Sequence, residues 1–373
     1  MELKTVKTRL FSIDALRGLI MILMALDHAN YFIAQKHPSG EHWGGSFPSY
    51  NEALPFITRL VTHLAPTGFA FLMGVGMVFF ASSRRKRGWN EWAITRHFLT
   101  RGALLILLQF GVVNFAWKLS PIPFPDVYIG VLVALGGGMM IGSFLLRLNK
   151  WILLAITVGL FFGMELTHPS PDQWGLIFDN PLGLVLGYSG GEMQLWSNYP
   201  VLPWLELVVF GMFFGTWLQE DAKQAYRRGL LLGGLFLAAF ILVRAMDGFG
   251  NIRPVQGDSW IDFLNVVKYP PSMTYTLLTM GVNLILLWLF SILKEAGRRF
   301  VQPLVVYGKV PLFFYLLHLF LYAGLGLWLA PNGTSVLRMY PFWLVGLLIL
   351  YPLCWWYGSF KDGRKFNSLF RYL

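Results

Sequence analysis

The chain has 373 residues, of which 55 % are hydrophobic and only 13 % are charged. Soluble domains carry about 25 % charged residues, so this composition leaves too little polar surface to cover a globule in water and excludes a soluble enzyme. The net charge of +11 would indicate nucleic-acid binding only if the basic residues shared one aqueous face of a folded domain.

Ten apolar stretches follow one another along the chain, and a membrane-spanning helix needs about 20 mostly apolar residues. The stretches lie at roughly 14–34, 56–81, 95–117, 127–147, 151–166, 201–219, 227–246, 272–293, 303–329 and 341–359. The first follows a polar, basic segment without a small-residue cleavage site, so it is predicted to be a retained helix and not a signal peptide. We therefore predict an all-α integral membrane protein with about ten transmembrane helices in one bundle. The single cysteine, Cys354, excludes a disulfide framework and is predicted to be buried.

The distribution of Lys and Arg between the stretches predicts the orientation of the bundle. With the N-terminus in the cytoplasm, twenty basic residues fall in inner segments: Lys4, Lys7, Arg9, Arg84, Arg85, Lys86, Arg87, Arg96, Arg147, Lys150, Lys223, Arg227, Arg228, Lys294, Arg298, Arg299, Lys361, Arg364, Lys365 and Arg371. Five fall in outer loops: Lys36, Lys118, Arg253, Lys268 and Arg338. Both termini are therefore predicted to be cytoplasmic, and the positive charge is assigned to topology and lipid contact instead of nucleic acid.

Three connections on the predicted outer side are long: residues 35–55, 167–200 and 247–271. They are rich in Gly, Pro, Trp and Tyr, and long loops of this kind are usually either functional or disordered. Because their aromatic content argues against disorder, we expect them to form a folded cap over an extracytoplasmic binding region.

Ionisable side chains recur within the apolar stretches, where each costs at least about 2.5–3.5 kcal/mol on insertion scales unless it has a partner or a task. They are Asp14, Arg17, Asp27, His28, Arg59, His63, Arg101, Glu206, Arg244, Lys309 and His318. Histidine titrates near neutral pH, so the three histidines, beside Asp27 and Glu206, suit general acid–base chemistry in a buried pocket.

These residues also have structural explanations. A lone intramembrane histidine often only hydrogen-bonds a neighbouring helix, and Asp14 and Arg17 share one helical face and can form an ion pair. Gly74, Gly76 and the glycines at 136–138 are predicted to be close-packing positions. Because no HExxH pattern or dense acidic cluster accompanies the histidines, no metal is expected.

Several segments carry a more specific signal than composition. They are RLFSIDALRGLIMILMALDH at the start, THLAPTGFAFLMGVGMVFF (62–80), VVNFAW (112–117), YPVLPWLELVVFGMFFG (199–215), LNVVKYPPSM (264–273) and PLVVYGKVPLFFYLLHLF (303–320). Together they resemble the bacterial membrane family related to heparan-α-glucosaminide N-acetyltransferase. The similarity to the lysosomal enzyme itself is limited mainly to Arg9, Ser12, Asp14, Arg17, Gly18, Phe69, Phe71, Gly74, Gly308, Tyr315 and His318.

The resemblance implies a transmembrane acetyltransferase in the bacterial inner (plasma) membrane. Its single membrane domain (1–373) would hold an acyltransferase-like core at about 9–330 and a C-terminal helix and basic tail at 341–373. The characterised relative takes acetyl-CoA from the cytosol and acetylates a terminal glucosamine amine across the membrane. The implied partners are lipid and an extracytoplasmic glycan or amino sugar, with a homodimer suggested by the relative.

In that relative, a histidine of the first non-cytosolic loop is implicated in catalysis. The corresponding loop here contains His37 and His42, and neither aligns without a gap. Asp27, His28 and His63 belong only to the bacterial pattern. We rank the candidates for the catalytic histidine by their position in the predicted spans. His28 comes first, followed by His63, His318 and then His37.

Acyl transfer needs a base that takes the acceptor's proton and donors that hold the developing oxyanion. We hypothesise that His28 is the base, oriented by Asp27, with His63 or His318 completing the pocket. Adjacent residues lie about 100° apart around a helix, so Asp27 can instead serve another neighbour. The candidate acceptor or oxyanion contacts are Asn114, Tyr315, Asn265, Lys268, Arg244 and Trp204.

On the cytoplasmic side, acetyl-CoA would present phosphates, for which Arg is the preferred bidentate partner. Arg17, Arg101 and Lys309, with Asp14 beside Arg17, are predicted to form its binding mouth. The thioester must then reach about half-way through the bundle, or a histidine must carry the acetyl group across.

The alternative is a proton-coupled transporter or flippase, in which Asp14, Arg17, Asp27 and the histidines form a proton relay. Acyl transfer predicts that His28, His63 and His318 surround one outward cavity connected to a basic inward mouth. Transport predicts inverted repeats and broken helices.

Overall fold

The computed structural model describes residues 10–37 and 40–364. Several basic residues that were used to predict the orientation lie outside them: Lys4, Lys7, Arg9, Lys365 and Arg371. The last part of the predicted basic tail lies outside them too. Within the described residues the regular secondary structure is almost entirely helical, as predicted.

Sixteen α-helices are present among the described residues. They are α1 (Phe11–Ala29), α2 (Ala53–Thr62), α3 (Leu64–Arg85), α4 (Glu91–Leu108), α5 (Asn114–Trp117), α6 (Val131–Leu145), α7 (Lys150–Thr167), α8 (Pro181–Leu186), α9 (Val201–Glu220), α10 (Ala222–Met246), α11 (Trp260–Leu264), α12 (Met273–Ile292), α13 (Glu295–Phe300), α14 (Gln302–Lys309), α15 (Pro311–Leu329) and α16 (Val336–Asp362).

Eight helical segments of the described chain are long and apolar enough to cross a membrane, counting α2–α3 and α4–α5 as one segment each. The shorter apolar helix α6, and α1 with its π-helical continuation Asn30–Ala34, correspond to the two other predicted stretches. The prediction of an all-α integral membrane protein is confirmed. Below, the end of the bundle with the basic connections is called the basic end, and the opposite end, with the long connections, is called the loop end.

Two of the predicted spans are interrupted. The second is broken at His63, between α2 and α3. The ninth is broken at Val310, because Pro311 has no backbone N–H to continue α14 and restricts the residue before it. The other departures are π-helical turns at Asn30–Ala34 and Gln109–Val113, a distortion often found at functional sites.

The long connections form the expected folded cap. A small sheet has the strand order β1 (Val127–Ile129), β3 (Leu195–Ser197), β2 (Gly190–Gly191), with β1 parallel to β3. Residues 127–129 therefore belong to the cap, and the prediction that the fourth span starts at 127 is wrong. Trp43 anchors the cap, because its fully buried indole donates a hydrogen bond to the carbonyl oxygen of Ser189.

Small residues allow the helices of the core to approach closely. At the crossing of α3 and α9, a Cβ atom added to Gly74 would lie 2.0 Å from the carbonyl oxygen of Val208. One added to Gly211 would lie 2.0 Å from that of Phe71. Gly74 is thus a packing position, as predicted. Gly76 is not, because no atom lies within 4 Å of a Cβ built there.

Candidate active site

A cavity of about 310 Å³ extends into the bundle from its basic end. Four cationic side chains line it: Arg17 of α1, Arg101 of α4, Lys309 of α14 and Lys361 of α16. No Asp or Glu of the described residues lines the same space. The cavity is therefore electropositive at this end and suited to an anionic ligand.

The place of Arg17 follows from the packing of α1 against α14. Its Nη1 atom donates to the carbonyl oxygen of Gly308 at 3.1 Å and to Oδ1 of Asp14 at 3.0 Å. Asp14 is 4 % exposed and does not line the cavity. The structure therefore gives Asp14 the role of orienting Arg17, in place of the predicted direct contact with the acyl donor.

Beyond the cations, the walls of the cavity are mainly apolar. Their side chains include Met21, Phe69, Leu72, Met73, Met77, Leu105, Leu132, Leu135 and Met139. The space extends as far as Val131, the first residue of α6. Gly76 lines it as well, which explains why a Cβ there would meet no neighbour.

Tyr315 connects this cavity to a pair of histidines. Its ring lines the cavity and lies 6.4 Å from the ring of His28 and 5.6 Å from that of His318, measured between centroids. The Nδ1 atom of His28 lies 2.6 Å from Nε2 of His318. Trp117 closes another side, with its ring 5.0 Å from that of His28. Two of the three predicted catalytic histidines are thus in direct contact.

A separate buried ionic network lies further toward the loop end. The Arg59 guanidinium binds Glu41 through Nε at 2.8 Å and through Nη2, and its Nη1 binds Asp27. Nε2 of His63 lies 3.1 Å from Oε1 of Glu41, and Nε2 of His37 lies 3.3 Å from Oδ2 of Asp27. These contacts tie the loop after α1 to α1 and α2.

This network corrects two expectations. Asp27 accepts hydrogen bonds from Arg59 and Thr62, and none joins it to His28. The reason is helical geometry, which points adjacent side chains in different directions. In addition, the three histidines do not form one group, because His63 belongs to the Glu41 network whereas His28 contacts His318.

The electrostatics of the loop residues reflect this arrangement. Burial raises the pKa of Glu41, but the Arg59 guanidinium and His63 more than offset it and hold this pKa well below its usual value. Burial lowers the pKa of His37, and Arg59 adds to the effect. Glu41 is therefore ionised and His37 neutral near pH 7.

Arg244 and Asn265 are occupied with structural contacts. Arg244 donates to the carbonyl oxygens of Phe263, Asp262 and Asn265 and to Oδ1 of Asn251, at 2.7–2.9 Å. Asn265 donates to the carbonyl oxygen of Pro48. Neither residue lines the cavity. These contacts stabilise the cap beside α11, and the predicted role of both residues in acceptor binding stays a prediction.

Lys268 and Trp204 are buried beside Tyr269 and Tyr199 respectively. The Lys268 Nζ atom lies 4.9 Å from the ring centroid of Tyr269, and its charge contributes to the lowered pKa of His37. The indole of Trp204 packs 4.9 Å from the ring of Tyr199, and its buried N–H has no hydrogen-bond partner among the described residues. Lys268 thus belongs to the surroundings of the ionic network, whereas Trp204 does not contact the histidine pair.

Asn114 lies near the deep end of the cavity. Its Oδ1 accepts a hydrogen bond of 2.9 Å from Gln109, whose Oε1 in turn accepts from the backbone N–H of Leu132. Gln109 is fully buried in the π-helical turn and so links α5 to the start of α6. Asn114 is a positioned amide, although it does not itself line the cavity.

Glu206 lies away from the histidine pair, in contrast to the prediction. It accepts a hydrogen bond of 3.1 Å from Thr276 and lines a chamber of about 10 Å³ with Glu165 and His168. Such a space has room for about one water molecule. Glu206 therefore does not join His28 in a common pocket.

The sequence interpretation missed Lys361, which lines the cavity. It also missed Gln109 and Glu41, which bind Asn114 and Arg59 respectively. Glu41 was hidden in a polar loop, Lys361 was counted only as a topology signal, and Gln109 was one amide among many apolar residues. Of these only Lys361 carried a usable signal, as a cation at the basic end of a long apolar helix. Among the described residues, no group of three or more His, Cys, Asp or Glu is arranged to hold a metal ion.

Comparison with known proteins agrees with the membrane setting. A family model described as "Heparan-alpha-glucosaminide N-acetyltransferase, catalytic" matches residues 9–244. The matched range includes His28, Arg59 and Arg101, whereas Lys309 and His318 lie beyond it. No curated protein matches the chain.

Proposed function

The chain belongs to the heparan-α-glucosaminide N-acetyltransferase catalytic family, and we propose that it transfers an acetyl group from acetyl-CoA at the basic end to an amino-sugar or glycan acceptor at the loop end. The observation that carries this proposal is the cavity, which joins four cationic side chains to Tyr315 beside His28.

The chemistry of the cavity suits acetyl-CoA. Arg17, Arg101, Lys309 and Lys361 offer charge-assisted hydrogen bonds to phosphates. The volume of about 310 Å³ is at the small end of the range of about 300–1,000 Å³ for ligand pockets. In the proposed complex the apolar walls therefore hold the pantetheine arm and the thioester, and the nucleotide lies among the cations at the mouth.

His28 supplies the base in this proposal. The acceptor's amine or hydroxyl attacks the thioester carbonyl carbon while its proton passes to the imidazole of His28. The carbon–sulfur bond then breaks, and the CoA thiolate leaves and takes up that proton. The Tyr315 hydroxyl and the Asn114 amide are the proposed donors to the oxyanion. Tyr315 lines the cavity beside His28, and Asn114 lies one helical turn from Trp117, whose ring packs against that of His28.

We further propose that the chain resides in a bacterial inner membrane with both termini in the cytoplasm. The concentration of Lys and Arg at the basic end supports this orientation. The acceptor then binds from the extracytoplasmic side, beneath the cap, and two copies form the proposed homodimer.

A proton-coupled transporter or flippase is the second candidate. The break between α14 and α15 at Val310 favours it, because transporters build their sites on interrupted helices. The ionic network around Arg59, in which Arg59, Glu41 and His63 are buried, is also compatible with proton movement.

Reconstitution into vesicles distinguishes the two. Radiolabelled acetyl-CoA is supplied on one side, with amino sugars and glycans on the other. The proposal predicts labelled acceptor, and a matched histidine variant, His168→Ala, should retain the activity because His168 packs against Trp43 away from the cavity. Absence of acetyl transfer, with solute transport intact, would favour the transporter.

A further inference from the structure

The His28–His318 contact determines which ring nitrogens carry hydrogen. The Nδ1 atom of His318 lies 3.0 Å from the carbonyl oxygen of Phe314, one helical turn earlier. A carbonyl oxygen can only accept a hydrogen bond, so Nδ1 of His318 must carry the hydrogen. In a neutral imidazole the other nitrogen, Nε2, is then an acceptor.

The same argument assigns the hydrogen on the ring of His28. Nε2 of His318 lies 2.6 Å from Nδ1 of His28. The ring planes are 17° apart and the centroids 4.9 Å apart, so the rings lie nearly edge to edge and the lone pair of one nitrogen faces the other. Because Nε2 of His318 accepts, Nδ1 of His28 must be the donor.

The remaining nitrogen of the pair is Nε2 of His28. It makes no hydrogen bond to any of the described residues. His28 is 8 % exposed, whereas His318 is 0 % exposed, so His28 is the ring that a substrate can reach.

We propose that His318 is a positioning residue that holds His28 as its Nδ1–H tautomer and so presents an unprotonated Nε2 to the acceptor. The role of Nε2 as the base rests on the proposed function, whereas the tautomer follows from the hydrogen bonds alone. Phe314, His318 and His28 thus form a hydrogen-bonded chain from a backbone carbonyl to the reacting atom.

The chain also stabilises the charge that forms during the reaction. When Nε2 of His28 takes the acceptor's proton, the ring becomes an imidazolium whose Nδ1–H still donates to His318. The bond to His318 becomes charge-assisted and strengthens, and the Phe314 carbonyl orients the outer ring. When the proton leaves with the CoA thiolate, the neutral tautomer is restored without rotation of either ring.

Nitrogen NMR tests the tautomer directly. The purified, ¹⁵N-histidine-labelled protein gives two-bond couplings that distinguish the two tautomers, and the His28→Gln variant assigns the His28 signals by their loss. The inference predicts a protonated Nδ1 and an unprotonated Nε2 in His28. A protonated Nε2 would overturn it.

Two variants at position 318 separate positioning from folding. In His318→Gln, the side-chain oxygen can stand where Nε2 stood and accept from His28. In His318→Asn, the amide can still bond to Phe314 but stops short of His28. We expect kcat to stay within about tenfold of the unsubstituted protein in the former and to fall by about 10²–10⁴ in the latter, with KM for acetyl-CoA unchanged in both.

The NMR and kinetic results distinguish failure of this inference from failure of the proposed function. If the predicted tautomer is observed and no acetyl transfer occurs, the function fails and the inference stands. If transfer occurs and the Gln and Asn variants lose kcat equally, His318 is not a positioning residue and the inference fails.

Discussion

Gly18 and Gly308 lie at one helix crossing, and each faces the backbone of the opposite helix with no room for a Cβ atom. A Cβ on Gly18 would lie 1.8 Å from the carbonyl oxygen of Leu304, and one on Gly308 would lie 2.0 Å from that of Asp14. This close approach brings Arg17 and Lys309 to the same cavity. The packing of α1 on α14 therefore builds the mouth of the candidate site.

Substitution of Gly308 by Ala should separate these helices. Because the neighbouring atoms are backbone, overpacking should cost about 1–3 kcal/mol, and it should also weaken binding of acetyl-CoA. Thermal unfolding in detergent and a binding titration measure the two effects. Gly324→Ala on α15 is the control, since nothing lies within 4 Å of a Cβ there. If the two variants had the same unfolding temperature and the same affinity for acetyl-CoA, the packing of α1 on α14 would not build the mouth of the site.

The cations of the mouth should determine affinity for the donor. Charge-assisted hydrogen bonds contribute about 1.5–3 kcal/mol, so Arg101→Gln or Lys361→Gln should raise the Kd of CoA about tenfold to a hundredfold. The salt dependence of binding should weaken as well. Lys150→Gln is the matched control, because Lys150 pairs with Glu220 outside the cavity. Unchanged affinity in both cavity variants would refute this assignment.

Gly76 offers a way to fill the cavity without disturbing the fold. A leucine at this position meets no neighbour within 4 Å of its Cβ and projects into the cavity. Gly76→Leu should therefore keep its unfolding temperature and lose binding of acetyl-CoA. Gly159→Leu, at another position with nothing within 4 Å, should bind normally, and normal binding by Gly76→Leu would show that the donor lies elsewhere.

The buried Glu41–Arg59 pair should behave as a stability element. Glu41→Gln leaves the Arg59 charge less compensated and should cost about 3–5 kcal/mol, whereas the double variant with Arg59→Met should lose less than the sum of the single changes. Differential scanning calorimetry on the unsubstituted protein, the two single variants and the double variant measures this coupling. If the losses of stability in the single variants added up to the loss in the double variant, the two side chains would not be coupled.

The same pair has a predictable pH dependence. The Arg59 guanidinium and His63 offset the effect of burial and hold the pKa of Glu41 below its usual value, so its stabilisation is complete above the unfolded value of about 4.3 and is lost as pH falls through the lower folded-state pKa. The difference in unfolding temperature between the unsubstituted protein and Glu41→Gln should be full at pH 7 and shrink in acid. A difference that grows in acid would contradict the assignment.

The helices could be predicted from sequence because hydropathy and charge act locally. Lipid requires long apolar helices with satisfied backbones, so their lengths and order are visible along the chain. Both breaks carried a sequence signal: Pro311 marks the break at Val310, and Pro66, which has no backbone N–H to bond the turn before it, marks the break at His63. The start of α6 was misplaced because a buried strand and a buried helix have similar composition.

The candidate site was only partly predictable. The cations Arg17, Arg101 and Lys309, which share one cavity, could be grouped because each lies in the half of its predicted span nearer the basic end. The partner of Asp27 was not predictable, because Arg59 and Glu41 reach it through a loop fold that no local pattern encodes. For the same reason His63 could not be separated from His28 and His318 by position alone.

The most direct test of the central claim is the rate of acetyl transfer by His28→Ala in vesicles, measured together with its affinity for acetyl-CoA. His28 lies beside Tyr315 at the edge of the cavity and does not line it, so the account predicts that kcat falls by about 10²–10⁴ while the donor Kd is unchanged. Transfer at the unsubstituted rate would contradict it.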